Sequence, residues 1–238
     1  MSTEQIADKL TAWIKEKVLA AGCKGAIVGM SGGIDSAVVA VLCHRAFPKT
    51  TLGLILPCHS SPEDEAHARL VARQFSIPTQ KVVLDPVFDT LVKVLPTAGD
   101  CRMAIANLKV RLRMLTMYYF ANKLGYLVVG SSNRSEISVG YFTKYGDGGV
   151  DIMPIGGLVK KQVKELACFL RIPQEIIDKP PTAGLWDGQT DEGEMGLTYE
   201  ELDCYLLSGE APPAVRKRLK AMIANSSHKR SLPPIAGV

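Results

Sequence analysis

Long apolar runs are missing from this sequence. No stretch approaches the roughly 18 consecutive apolar residues that a membrane-spanning helix needs. Charged residues recur between Thr3 and Ala21, so the start carries no signal-peptide pattern, and a cytoplasmic location is expected. Paired cysteines are missing too. Cys23, Cys43, Cys58, Cys101, Cys168 and Cys204 lie far apart with no Cys-x-x-Cys among them, which excludes a zinc-ribbon or iron–sulfur spacing and leaves most as expected small core residues. Charge of one sign is scarce: the formal net charge is +4, too mild to argue for nucleic acid. His44, His59 and His67 fall in no ligand or triad pattern. Internal repeats and low-complexity tracts are absent as well.

What is present suits one domain with a full core. The chain has 238 residues, 47% hydrophobic and 22% charged. Ile6, Leu10, Trp13, Ile14 and Val18 recur at helical spacing and predict an opening amphipathic helix. Strands are predicted at Gly25–Met30, Thr51–Leu56, Gln80–Leu84 and Tyr126–Val129. Ser61-Pro62-Glu63-Asp64 has the marks of a helix start, and Ala104–Leu124 reads as a long helix. Strands alternating with helices imply an α/β, Rossmann-like three-layer sandwich with a mainly parallel sheet. Ligands bind such sheets at the carboxyl ends of the strands, so the loops beginning near Gly29, Pro57, Leu84 and Gly130 are expected to share one rim.

The first of these loops is Gly29-Met30-Ser31-Gly32-Gly33-Ile34-Asp35-Ser36, between a strand and a helix. Gly32 and Gly33 let bare N–H groups approach anionic oxygens, and Ser31 and Ser36 add hydroxyl donors. The following helix points its positive end at the same place. A Walker A loop would need a lysine here, and none is present; the dinucleotide pattern Gly-x-Gly-x-x-Gly is not met either. Asp35 would repel phosphates unless a divalent cation lay between, which makes it a candidate Mg²⁺ ligand. The bland alternative is an ordinary tight turn in which Asp35 caps the helix.

This string resembles the signature of the ATP pyrophosphatase (PP-loop) superfamily, the adenine nucleotide α-hydrolase-like proteins that split ATP between the α- and β-phosphates. Further on come Gly130-Ser131-Ser132-Asn133-Arg134-Ser135-Glu136, the stretch Gly140-Tyr141-Phe142-Thr143-Lys144-Tyr145-Gly146-Asp147-Gly148-Gly149-Val150-Asp151, the segment Pro181 to Glu192 and His228-Lys229-Arg230. The last three are similar to hallmarks of the NAD synthetase family, and with the loop they run in the family's order from residue 29 to residue 230. The resemblance implies a C–N bond-forming ligase that amidates deamido-NAD with ammonia, through a nicotinate carboxylate adenylated by ATP.

It also implies site residues. Gly29, Met30, Ser31, Gly32, Gly33, Ile34, Asp35 and Ser36, with Ser131, Lys160 and Thr182, match the ATP-binding positions; Ser131 stands where the family usually has threonine. Asp35 and Glu136 match the Mg²⁺ ligands. Arg111, Lys144, Asp151, His228 and Lys229 match the deamido-NAD contacts. Taken singly, Glu136 also reads as a helix-capping surface acid, and Lys160, Arg111 and the basic tail as solvated residues. No residue is assigned as a general acid or base. The adenine is expected beside Leu54 to Pro57, and the loop 180–196, with its glycines and acids, is expected to act as a lid.

Only 24 residues precede the first predicted strand, too few for the glutaminase domain that some family members carry. The expected nitrogen donor is therefore free ammonia, unless a separate glutaminase works in trans. A homodimer is implied by the family, and the apolar face Met114, Met117, Tyr118 and Tyr119 reads equally as interface or core. Another PP-loop ligase or an RNA-modifying enzyme would need a basic appendage or paired cysteines. A non-catalytic nucleotide-binding module would be expected to have lost Asp35, Glu136 or Lys160, and all three are present.

Overall fold

The computed structural model describes residues 1–96, 101–186 and 188–237. Its elements run α1 (Thr3–Ala20), β1 (Ala26–Gly29), α2 (Ile34–Ala46), β2 (Thr51–Ile55), α3 (Pro62–Gln74), β3 (Thr79–Lys81), α4 (Asp85–Val94), α5 (Arg102–Leu124) and β4 (Leu127–Val129). Seven helical segments follow: α6 (Arg134–Val139), α7 (Lys160–Phe169), α8 (Gln174–Ile177), α9 (Asp191–Met195), α10 (Tyr199–Ser208), α11 (Pro213–Asn225) and a 3₁₀ turn at Ser227–Lys229.

The four strands form one parallel sheet in the order β3-β2-β1-β4, with Val28 opposite both Gly53 and Val129. Successive residues of a strand point to opposite faces, and here both faces are covered. Ala26 and Val28 join a core with α1, α2 and α7, whereas Ile27 joins a second core with α4 and α5. That is why β1 is apolar at consecutive positions instead of alternating. A third, smaller cluster, built on Val139, Met195, Leu202 and Leu219, binds α6, α9, α10 and α11 to one another beyond the sheet.

The predicted strands are present, slightly shortened, and one is displaced. β3 covers Thr79–Lys81 instead of Gln80–Leu84 because it is an edge strand, exposed throughout, and the chain turns into α4 at Asp85-Pro86. Pairing continues past its end, since Val82 donates to the Ile55 carbonyl at 3.0 Å and Leu84 to that of Pro57 at 2.8 Å. The apolar face proposed on α5 divides. Met114 and Met117 are buried in the second core, Tyr118 is half-buried, and Tyr119 is exposed, as is Leu115.

Candidate active site

The β1–α2 loop is held at both ends. Met30 N–H donates to the Leu54 carbonyl at 2.8 Å, fastening the loop to β2. The hydroxyls of Ser31 and Ser36 lie 3.0 Å apart, and Ser36 donates to the Gly33 carbonyl at 2.9 Å. Gly32 has φ +83°, and a Cβ there would collide with the Asp64 carbonyl of α3, so only glycine fits. Gly33 caps α2 with no side-chain acceptor on the first-turn N–H groups, so these donors remain free for an anion.

Three of the four expected loops line one cavity of about 480 Å³: Gly29–Ser36, Leu54–Pro57 and Gly130–Ser132. The fourth, after β3, does not reach it. It buttresses the β2 loop from outside, where Asp85 accepts the His59 N–H at 2.7 Å. Ser131, Glu136, Lys160, Thr182 and Lys229 also line the cavity, so residues from positions 29 to 229 meet there.

Asp35, Glu136 and Lys160 come together at its floor. Lys160 is the first residue of α7 and is 3% exposed. Its Nζ lies 2.5 Å from Asp35 Oδ2, 3.4 Å from Glu136 Oε1 and 4.9 Å from the Tyr199 ring centre. Buried Asn133 joins the two acids. Its amide nitrogen donates to Asp35 Oδ1 at 2.9 Å, while its oxygen caps α6 by accepting the Glu136 N–H at 3.0 Å. Tyr199 donates to Asp191 Oδ2 at 2.9 Å and lies 3.2 Å from Glu136 Oε1. Tyr141 donates to Glu194 Oε2 at 2.7 Å and lies 3.1 Å from Asp191 Oδ1.

Two carboxylates thus flank one ammonium, with Asp191 close behind them. Burial, and then the Asp35 charge, push the Glu136 carboxyl up to about 7 against the pull of Lys160. Burial works against the Lys160 ammonium, yet Asp35 and Glu136 outweigh it and hold its pKa above the ordinary lysine value. Burial also raises Asp191, opposed by the hydrogen bond from Tyr199. An excess of negative oxygen beside the open N–H groups of the first turn of α2 suits a hard divalent cation, because Mg²⁺ is held by one or two carboxylates together with substrate phosphates. Among the described residues, no cluster of three or more His, Cys, Asp or Glu forms a ready cage. Asp35 and Glu136 supply the oxygen-only donor set that Mg²⁺ prefers over thiolate or imidazole.

The remaining anticipated residues separate. Lys229 enters the cavity wall, donating to the carbonyls of Gly140 at 2.8 Å and Phe142 at 2.9 Å. Arg111, Lys144 and His228 lie together just outside: Arg111 donates to the Lys144 carbonyl at 3.3 Å, and Lys144 Nζ to that of His228 at 2.6 Å. Asp151 is engaged within the fold, accepting the Val128 N–H at 2.8 Å and the Tyr118 hydroxyl at 2.9 Å. Pro180 to Leu185 and Gln189 line the cavity, and Gln189 accepts the Leu185 N–H through its side chain and the Thr182 hydroxyl through its carbonyl. Two lysines tether it. Lys109 donates to the Leu185 carbonyl at 3.0 Å, and Lys179 pairs with Asp64 at 2.7 Å.

The family model for NAD synthase matches residues 6–233. The chain belongs to the NAD synthase family. The NH(3)-dependent NAD(+) synthetase of Carboxydothermus hydrogenoformans is 49% identical over 235 residues, 98% of this chain and 97% of that protein. A solved structure of NMN synthetase from Francisella tularensis matches with a TM-score of 0.96 at 34% identity, covering 100% of both chains. The NH3-dependent NAD synthetase of Campylobacter jejuni, in complex with nitrate, matches at 0.83 and 28%, again over 100% of both. NAD synthases catalyse the final step of NAD biosynthesis, and the three-layer fold agrees with the family's.

From the sequence, Asn133, Asp191 and Tyr199 carry no assigned role. Asn133 alone carried a local signal, since Asn-x-x-Glu ahead of Ile137 is the pattern of a reciprocal helix cap.

Proposed function

We propose that this chain amidates deamido-NAD with ammonia, consuming ATP and releasing AMP and pyrophosphate. The observation that carries the reading is the Asp35–Lys160–Glu136 group facing the Gly29–Ser36 cradle in one cavity. The cradle's N–H and hydroxyl groups hold the two phosphates that leave as pyrophosphate. Lys160, Ser131 and Thr182 add donors for the triphosphate, and the adenine lies against Leu54–Pro57. Asp35 and Glu136 would hold Mg²⁺, which neutralises phosphate charge when bound.

A carboxylate is a poor electrophile, so the nicotinate oxygen first attacks the α-phosphorus and expels pyrophosphate. Ammonia then attacks the acyl carbon, loses a proton and expels AMP. The protein's contribution is to align two anions, offset their repulsion and keep water from the acyl-adenylate. Pro180 to Leu185, with Gln189, supply the cover, and Arg111, Lys144, His228 and Lys229 bind the acceptor's anionic groups at the outer rim. Exposed Leu115 and Tyr119 on α5 offer an apolar face for a second copy.

The test mixes purified protein with ATP, Mg²⁺, deamido-NAD and ammonium and follows NAD and AMP. Formation of ADP, or no NAD, refutes the reading; glutamine in place of ammonium tests the nitrogen donor. A second reading shortens the acceptor. The TM-score of 0.96 with a protein named NMN synthetase favours nicotinic acid mononucleotide, amidated by the same chemistry. Parallel assays of the two acceptors decide by their kcat/KM ratio.

A further inference from the structure

Two cations on α5 face inward and make no ion pair among the described residues. Lys109 and Arg113 are one helical turn apart and share a face. Lys109 is 9% exposed and is spent on the Leu185 carbonyl, with the Phe88 ring 5.5 Å away. Arg113 is different. It lines the cavity, half-buried, beside Asn107, Val110 and Met114. Its Nε donates to the Leu56 carbonyl at 3.1 Å, and one Nη donates to the Ser60 hydroxyl at 3.0 Å. A guanidinium has five N–H donors in a fixed fork and keeps its charge. Two are used, both on neutral oxygens, and burial presses against the charge. Asp64, Asp147 and Asp85 favour the charge from a distance, but none of them pairs with it, so an anion drawn into the cavity could take its free N–H groups. Arg111, two residues earlier, is exposed and turned to Lys144.

Position along the sheet identifies the anion. Arg113 is anchored at the end of β2, the neighbour of β1. If the adenosine lies against Leu54–Pro57 and the leaving phosphates lie in the Gly29–Ser36 cradle, the α-phosphate bridges the ends of these two strands. We propose that Arg113 is a further nucleotide-binding residue, whose free N–H groups grip the α-phosphate of ATP and of the adenylate made from it. This rests on the nucleotide placement proposed above. The same grip serves both half-reactions, since the α-phosphoryl group is the electrophile in the first and leaves as AMP in the second. Charge-assisted, bidentate contact is what a guanidinium offers a phosphate and an ammonium does not.

The experiment compares AMP with adenosine, which differ by the group in question. Calorimetric titrations of both into wild-type protein, Arg113→Met and Arg113→Lys give the AMP-to-adenosine affinity ratio. Arg113→Met is expected to weaken AMP about 10- to 100-fold and adenosine by less than about threefold. Arg113→Lys, which keeps the charge, is expected to restore part of the ratio and also covers the case in which the methionine variant does not fold. Equal weakening of both ligands would reduce Arg113 to a brace for the Leu56–Ser60 turn, and an unchanged ratio would remove it from the phosphate; either overturns the proposal. Wild-type protein that binds neither ligand would instead refute the nucleotide placement, and the proposal with it.

Discussion

Lys160→Met separates the ways in which this site can be held together. The methionine keeps most of the side-chain length but removes the cation between Asp35 and Glu136. Lys160 is 3% exposed, and the two acid side chains are 17% and 14% exposed, so water screens little of what is left. Removing one partner of such a buried group costs about 3–5 kcal/mol, because the other charges stay behind. At about 2–4 °C per kcal/mol for a chain of this size, the melting temperature should fall by about 10 °C. The deficit should depend on pH with a definite sign. The folded-state pKa of Glu136 is raised from 4.5 to about 7, so between those values the folded protein holds a proton that the unfolded chain has released. Stability from this group therefore increases as pH falls through that window. Loss of Lys160 raises the pKa further, and the variant should recover part of its deficit at pH 5 relative to pH 8. Mg²⁺, replacing the missing cation, should raise the variant's melting temperature more than that of the wild type. The assay is calorimetric melting of both proteins from pH 5 to 8, with Mg²⁺ and with chelator. A deficit below about 1 kcal/mol, or one that stays flat across pH, would refute the argument that Lys160 balances buried carboxylates.

Asp35→Ala should keep the fold yet lose Mg²⁺-dependent turnover by about 100-fold or more; unchanged NAD formation would strip Asp35 of its proposed role. Gly32→Ala forces a side chain into φ +83° against the Asp64 carbonyl and should cost about 1–3 kcal/mol together with ATP affinity, read from urea unfolding and nucleotide titration. Lys109→Met frees the Leu185 carbonyl and should speed protease cleavage within 180–196 in the ligand-free protein, with ATP plus deamido-NAD restoring protection. Identical cleavage in variant and wild type would mean that the tether does not hold the cover.

Much of the fold was legible because short apolar runs such as Ala26–Val28 and Leu127–Val129, bounded by Gly25, Gly29, Gly125 and Gly130, are too short for helices and suit strands covered on both faces. β3 was misplaced because Gln80–Leu84 contains the apolar residues while the edge pairing that defines a strand begins at Thr79. The cradle and Asp35 stood out because a glycine turn with an internal carboxylate carries its own chemistry, whereas Glu136 stood out only through the family resemblance. Asp191 and Tyr199 were not, because their meeting with Glu136 depends on how the third apolar cluster packs, and no spacing along the chain records it. The rim misled for a related reason: only the folded edge of the sheet shows that the loop after β3 supports its neighbour instead of the ligand.

The crossing at Gly140, where a Cβ would run into Ser226, ties α6 to the end of α11 and brings Lys229 to the cavity wall. Its consequence lies in biogenesis. The Gly29–Ser36 cradle and its supports on β2 and α3 are synthesised early, whereas its charge-balancing lysine, its tyrosine and its rim cation arrive 125 to about 200 residues later. A half-made chain on the ribosome therefore carries a phosphate loop with no means of completing the chemistry. A chain truncated before Lys160 would keep the Gly29–Ser36 cradle and lack the ammonium that balances Asp35, and it is expected to show no ATP-dependent turnover.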